Sequence, residues 1–181
     1  MKLKLNNNIK KALFLDRDGV INIKLDNDYV KKWDEFIFID GALEALKKLS
    51  IYFDIIFIVT NQQGIAKGLM IENDLKIIHS KMLSKLFKAG VYINKIYYSS
   101  DLKTKIGNTR KPNIAMGLKA KIDFPDINFS NSIMIGDSDS DIEFGKRLGM
   151  TCIKITPNLN ENGKQDYNFH SISDFSKKII I

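Results

Sequence analysis

Apolar residues fall along this chain in short unbroken runs that stop at polar clusters, and these runs alternate with stretches repeating at helical spacing. Ala12-Leu-Phe-Leu15 runs into Asp16-Arg-Asp-Gly19, Ile55-Ile-Phe-Ile-Val59 into Thr60-Asn61, and Ser132-Ile-Met-Ile-Gly136 into Asp137. Runs of this length without alternation predict strands buried on both faces, as in a parallel sheet. The first is expected over about 11–16, and two more at Ile93–Tyr98 and Thr151–Ile155. Leu43, Leu46 and Leu49 predict a helix after Asp40-Gly41, with Asp40 as its N-cap. A long helix is predicted over 72–89, its stripe made of Leu75, Ile78, Met82, Leu83, Leu86 and Phe87, ended by Gly90. Pro112 suits the first turn of a helix running to about Ala120. Another helix should run from the Asp137 cluster to about Leu148, and a short one from near Ser173.

The remaining segments look irregular. Residues 1–11 are a polar lead-in, 20–38 suggest a small hairpin or flap, and 157–168 are polar and loop-like. Strands alternating with helices imply an open α/β fold with a parallel sheet of about five strands and right-handed crossovers. Such sheets bind ligands beyond the carboxyl ends of the strands, beside the point where strand order reverses. Asp16 and Asp18, Thr60 and Asn61, and Asp137 to Asp141 all fall at such ends. Taken alone, Asp16-Arg-Asp-Gly19 reads equally well as a chemical site and as a polar strand end followed by a turn. Three polar clusters converging on one crevice are poorly explained by coincidence.

Composition narrows the picture. The length of 181 residues fits one domain with a sizeable core. No apolar run approaches the roughly 18 residues of a membrane span, and the N-terminus lacks the apolar segment of a signal peptide. The single cysteine, Cys152, excludes an intramolecular disulfide framework and a Cys-rich zinc site, and the cytoplasm is the expected compartment. The net charge of +7 comes almost wholly from lysines spread along the chain. No arginine–aromatic patch marks a nucleic-acid surface, so phosphorylated small molecules fit the charge better. His79 reads as a surface or interface histidine rather than a ligand.

The clusters are chemically complementary. Asp16 and Asp137 can bind a hard cation such as Mg²⁺ through oxygen. Thr60 and Asn61 can donate to a bound oxyanion, and Arg110-Lys111 can neutralise phosphate. Asp16 would attack phosphorus to form an aspartyl-phosphate. Asp18 would protonate the leaving group and then activate water.

These residues resemble the haloacid dehalogenase (HAD) superfamily of phosphatases. The four motifs stand in order: Asp16-Arg-Asp-Gly19, Thr60, Lys111, and Gly136-Asp137 with Asp141. Within it, Phe14-Leu-Asp-Arg-Asp-Gly-Val-Ile-Asn22, Val59-Thr-Asn-Gln-Gln-Gly-Ile-Ala-Lys-Gly68 and Arg110-Lys-Pro112 resemble the branch of heptose bisphosphate and histidinol-phosphate phosphatases. The resemblance covers about residues 11–155 and implies a three-layer, Rossmann-like α/β/α fold. Residues 61–110 are taken up by the long helix and the strand after it, and 20–40 suffice only for a flap. A single unit over 1–181 without a folded cap is therefore expected, with a core at 11–155, a flap at 20–40 and a tail at 156–181. Asp16, Asp18, Thr60 and Lys111 match its catalytic residues, and Asn61 and Arg110 its substrate contacts. Asp16, Asp137 and the backbone carbonyl of Asp18 match its Mg²⁺ ligands, with Asp141 as outer support. Asp139 has no counterpart and is expected to cap its helix.

Two departures bear on substrate. The branch usually carries a zinc site in the loop before Arg110-Lys-Pro112, but Ser99–Thr109 contains neither Cys nor His, so no zinc is expected. Ser138 stands where heptose enzymes tend to have a lysine. The expected activity is hydrolysis of a small sugar phosphate, foremost the 7-phosphate of D-glycero-D-manno-heptose 1,7-bisphosphate in nucleotide-activated heptose biosynthesis. Histidinol-phosphate phosphatase and nucleic-acid 3′-phosphatase are the alternatives, and a non-catalytic receiver-like domain is disfavoured by Asp18, Thr60 and Lys111 together. A monomer without nucleic-acid or membrane partners is expected. Tyr29, Trp33 and Lys67 are equally readable as pocket lining or surface packing.

Overall fold

The computed structural model describes residues 10–179, so most of the expected lead-in, residues 1–9, lies outside the described residues. Six parallel strands form one sheet: β1 (Ala12–Leu15), β2 (Ile55–Asn61), β3 (Lys95–Ser99), β4 (Ile133–Gly136), β5 (Thr151–Ile155) and β6 (Tyr167–Phe169). Their order is β3-β2-β1-β4-β5-β6. The helices are α1 (Ala42–Leu49), α2 (Glu72–Lys88), α3 (Ala115–Asp123), α4 (Asp139–Leu148) and α5 (Ile172–Lys178).

The pleat sorts each strand between two cores. Leu13, Leu15, Ile56, Ile58, Ile133, Ile135 and Ile153 face one way, packing with Leu46, Leu49, Ile78, Met82 and Phe175 of α1, α2 and α5. Ala12, Phe14, Phe57, Val59, Met134 and Cys152 face the other way, against Met116 and Ala120 of α3 and Ile142 and Phe144 of α4. Both faces of the sheet are covered, which accounts for the unbroken apolar runs. The result is three layers. Strand order reverses between β1 and β4, so the ends of β1, β2 and β4 share one rim.

Several sequence expectations are corrected. The sheet has six strands rather than about five, because the polar stretch expected to be loop ends in β6, paired with β5 from Tyr167↔Ile153 to Phe169↔Ile155. Asp40 does not cap α1; Gly41 holds that position at φ 71°, in the left-handed region that suits glycine. The helix expected from Pro112 begins at Ala115, whose N–H donates to Asn113 Oδ1. Ser138, not Asp139, is the N-cap of α4. Phe87 leaves the α2 stripe and is 72% exposed, while His79 is buried on it. Gly90 does end α2: it takes φ 83°, and Val91 N–H returns to the Leu86 carbonyl.

The flap is an irregular loop. Its base is pinned by an antiparallel bridge between Asn22 and Phe38, and Ile23 N–H donates to the Ile37 carbonyl at 2.8 Å. A 3₁₀ turn at Trp33–Glu35 is its only regular element. Among the described residues no folded cap interrupts β1–α1 or β2–α2, and no helix is long and apolar enough to cross a membrane.

Candidate active site

A buried lysine organises the rim. Lys111 Nζ lies 2.9 Å from Asp16 Oδ1 and 2.6 Å from Asp141 Oδ1, and donates to the Val59 carbonyl at 2.6 Å. Lys111 is 2% exposed and Asp141 0%. Charges this deep persist only when paired, because desolvation otherwise costs several kcal/mol per ion, on the order estimated for real proteins. Asn61 fixes the lysine's segment: its Oδ1 accepts from Lys111 N–H at 2.9 Å and its Nδ2 donates to the Lys111 carbonyl at 3.1 Å. The loop before α3 is thereby held against the end of β2.

Asp137, just past β4, completes an acidic cluster. One oxygen each from Asp16, Asp137 and Asp141 lies within 4.8 Å of the others, and this is the only such cluster among the described residues. Asp137 Oδ2 pairs with Lys24 at 2.6 Å, while its buried Oδ1 has no hydrogen-bond partner. Three carboxylates thus face two ammonium groups. The pKa of Asp16 is accordingly pushed up to about 7, first by burial and then by repulsion from Asp141, with Lys111 opposing. Burial and Asp141 raise Asp137 too, against Lys24. The excess negative charge, the unpaired Asp137 oxygen and the all-oxygen donors fit a hard divalent cation such as Mg²⁺. Asp141 is the most committed of the three. Its Oδ2 accepts from Ser138 N–H at 3.0 Å and Ser138 Oγ at 2.6 Å, besides its bond to Lys111.

Glycine makes this approach possible. A Cβ on Gly19, which has φ 86°, would lie 2.4 Å from Asp137 Oδ2, and one on Gly136 would lie 2.1 Å from the Asp141 Cβ.

Asp18 stands at the cavity edge in a different setting. Its Oδ1 accepts from Arg17 Nη2 at 2.8 Å and Asn22 Nδ2 at 2.9 Å, and its Oδ2 from Gln62 Nε2 at 2.8 Å. Burial alone would raise its pKa, but the Arg17 charge and these bonds outweigh burial and lower it. The same Gln62 amide donates to Thr60 Oγ1 at 2.9 Å, tying the β2 end to the β1 loop. Arg17 is fully buried, and its Nη1 lies 3.3 Å from His79 Nε2. Burial, then Arg17, pushes the His79 pKa down to about 3, so the ring is neutral and accepts from the guanidinium.

The cavity of about 250 Å³ is lined by Asp16, Asp18, Thr60, Asn61, Arg110 and Asp137, and on the flap side by Lys24 and Tyr29. Asp16, Asp18, Thr60, Asn61, Arg110 and Asp137, expected from the sequence to form the site, therefore reach one place, with Lys111 just beneath. Tyr29 is pocket lining, with Lys67 5.2 Å from its ring centroid; Trp33 instead stacks on Phe36. The sequence pattern does not single out the roles of Gln62, Arg17 and Lys24, and it places His79 at a surface or interface rather than against Arg17. Gln62 was detectable as the residue two beyond Thr60, on the same side of the strand path. Asp139, 93% exposed at its side chain, pairs with Lys154 at 2.6 Å instead of capping.

The loop after β3 is held by side chains. Asp101 Oδ2 accepts from Thr109 N–H and Oγ1, both at 2.8 Å, and its Oδ1 from Lys105 at 2.5 Å. Arg110 Nη1 donates to Gln63 Oε1 at 2.9 Å, which also accepts from Lys103 N–H. With no thiolate or imidazole and its carboxylate spent on the loop itself, the segment does not fit a zinc centre.

The arrangement of an anionic nucleophile candidate, an acid/base candidate, a cation site and a buried ammonium suits phosphoryl transfer. Comparison with known proteins agrees. Residues 108–170 match a family model described as HAD-hydrolase-like. The chain is 39% identical to D-glycero-alpha-D-manno-heptose-1,7-bisphosphate 7-phosphatase of Campylobacter jejuni over 171 residues, 93% of this chain and 96% of that protein. It is 36% identical to the D-glycero-beta-D-manno counterpart of Pasteurella multocida, over 94% of this chain and 97% of that protein. Its fold matches the crystal structure of D,D-heptose 1,7-bisphosphate phosphatase from B. bronchiseptica complexed with magnesium and phosphate. The TM-score is 0.84 at 26% identity, covering 93% of this chain and 97% of that one.

Proposed function

Because the chain belongs to the heptose 1,7-bisphosphate 7-phosphatase family of HAD-like hydrolases, we propose that it releases the 7-phosphate of D-glycero-D-manno-heptose 1,7-bisphosphate through an aspartyl-phosphate on Asp16. The observation that carries the reading is the Lys111 bridge between Asp16 and Asp141, beside the unpaired Asp137 oxygen. It holds one carboxylate of an acidic cluster at the rim and secures it from beneath.

Asp16 and Asp137, with the backbone carbonyl of Asp18, would hold Mg²⁺. The ion, when bound, supplies positive charge that favours ionised Asp16 and neutralises the phosphoryl oxygens. Asp16 Oδ attacks phosphorus, forming the acyl-phosphate bond as the bond to the sugar oxygen breaks. Thr60 Oγ1 and Lys111 Nζ donate to the transferring oxygens, and Arg110 binds substrate from the cavity wall. Asn61 contributes by clamping Lys111 and by presenting its amide at the same wall.

Asp18 handles the protons. Arg17 favours its anion, but a phosphate dianion entering beside it raises its pKa again, because like charge disfavours ionisation. Protonated Asp18 gives its proton to the departing sugar oxygen. It then accepts one from the water that attacks phosphorus, freeing phosphate and regenerating Asp16. Gln62 holds Asp18 and Thr60 at fixed spacing throughout.

The test is a Mg²⁺-dependent phosphate-release screen over both anomers of heptose 1,7-bisphosphate, histidinol phosphate and a 3′-phosphorylated oligonucleotide. The reading expects the highest kcat/KM for a heptose bisphosphate. Preference for histidinol phosphate or the oligonucleotide overturns it.

A further inference from the structure

Lys24 is a cavity-lining cation outside the motif residues, and it is placed where two tasks conflict. It stands on the flap two residues past Asn22, which is fully buried. Its side chain is 50% exposed, yet its Nζ meets Asp137 Oδ2 at 2.6 Å, and Leu25, Asp28 and Tyr29 continue the same wall. Asp137 is also a carboxylate of the cation cluster. A divalent ion on the unpaired Oδ1 of Asp137 would be repelled by the ammonium on its Oδ2. Of the two lysines at the cluster, Lys24 is the half-exposed one that can withdraw, whereas Lys111 is buried and also held by Asp141 and the Val59 carbonyl. Lysine is suited to yielding, because its charge rides on a flexible stem anchored elsewhere.

A bisphosphate supplies the partner for the released ammonium. The reacting phosphate is met by Thr60, Asn61 and Lys111 at the strand ends. The second phosphate, at the other end of the sugar, must lie farther out, where the cations lining the cavity are Lys24 and Arg110. Arg110 is partly engaged by Gln63. Ser138, next to Asp137, offers no charge there.

We propose that Lys24 is an exchangeable cation, released from Asp137 as the divalent ion binds and then bound to the second phosphate, which makes it a determinant of bisphosphate selectivity. This rests on the heptose bisphosphate reading above. Lys24 opposes metal binding in the free protein and favours substrate afterwards, so its removal acts with opposite signs on the two ligands.

The experiment compares the full chain with Lys24→Met and Lys24→Arg, using Lys24→Gln where Met perturbs the flap. Mg²⁺ affinity is measured by calorimetry without substrate, and kcat/KM on heptose 1,7-bisphosphate and on heptose 7-phosphate, which lacks the second group. Lys24→Met should tighten Mg²⁺ about threefold, the range of a partly exposed ion pair. It should also lower the bisphosphate-to-monophosphate ratio of kcat/KM about tenfold, the loss of one charge-assisted hydrogen bond. Lys24→Arg should recover most of that ratio. An unaltered ratio, or unaltered or weakened Mg²⁺ affinity, overturns the proposal. If the unsubstituted protein hydrolyses heptose 7-phosphate but not the bisphosphate, the substrate reading fails, and the Mg²⁺ titration still decides the exchange at Asp137.

Discussion

The ammonium of Lys111 lies 2.9 Å from Oδ1 of Asp16, in a place where the lysine is only 2% exposed. The pair joins the loop before α3 to the end of β1 across the rim. Burial alone would lower the pKa of Lys111, but Asp141 and Asp16 outweigh burial and raise it, so the charge is permanent at neutral pH.

Replacing Lys111 by Met leaves two buried carboxylates facing each other without a counter-ion. Breaking such a pair from one side costs about 3–5 kcal/mol, and loss of the donor should lower kcat at least about a hundredfold. Urea unfolding with and without Mg²⁺ checks the first effect, and Mg²⁺ should recover part of the lost stability. Steady-state kinetics checks the second.

Asp16→Asn should abolish turnover without weakening the fold. Burial and Asp141 disfavour the Asp16 charge, so a neutral amide relieves repulsion while Lys111 keeps Asp141 as a partner. The thermal midpoint in metal-free buffer should rise, and Mg²⁺ should raise it less than in the unsubstituted protein. A fall in the metal-free midpoint would show that the Lys111 pair outweighs the repulsion.

His79 should make stability depend on pH below neutrality. The folded protein keeps the ring neutral to about pH 3, whereas the unfolded chain protonates it near 6.5. Below 6.5 the unfolded state binds the extra proton, so stability falls with pH by about 1.4 kcal/mol per unit until about pH 3. His79→Gln retains an acceptor for Arg17 and does not titrate. Asp16, whose raised pKa acts in the opposite direction, is common to both proteins and cancels in their difference. That difference should change by about 2 kcal/mol between pH 6.5 and pH 5, read by urea unfolding.

Strand ends were the legible part of the molecule. Unbroken apolar runs placed β1, β2, β4 and β5, and the polar residues after β1, β2 and β4 meet at the rim as expected. What stayed hidden depends on contacts between distant segments. A three-residue strand such as β6 is too short for a pattern and is half-exposed. His79 lies on the apolar stripe of α2, but only Arg17, 62 positions away, explains why a histidine is buried there. Lys24 is one lysine among many until the fold brings it to Asp137. Asp40 looked like a cap because aspartate favours that position, yet the chain turns there through Gly41 at positive φ.

Asp101 closes the loop that carries Arg110. Asp101→Ala removes three acceptor bonds, including those from Thr109 N–H and Oγ1. Arg110 should then be less well placed, raising KM roughly threefold to tenfold with a smaller effect on kcat, as loose positioning does. Added Zn²⁺ should not restore KM, since the loop offers no thiolate or imidazole.

The covalent step on Asp16 is tested most directly by trapping. In Asp18→Asn the acid/base is gone, but p-nitrophenyl phosphate needs little leaving-group protonation, so the first step proceeds and the second stalls. Borohydride reduction of the quenched Mg²⁺ reaction converts an aspartyl-phosphate to homoserine, which peptide mass spectrometry locates. The expected result is a burst of p-nitrophenol with homoserine at position 16. Homoserine at another aspartate, or a burst with Asp16 unmodified, would contradict it.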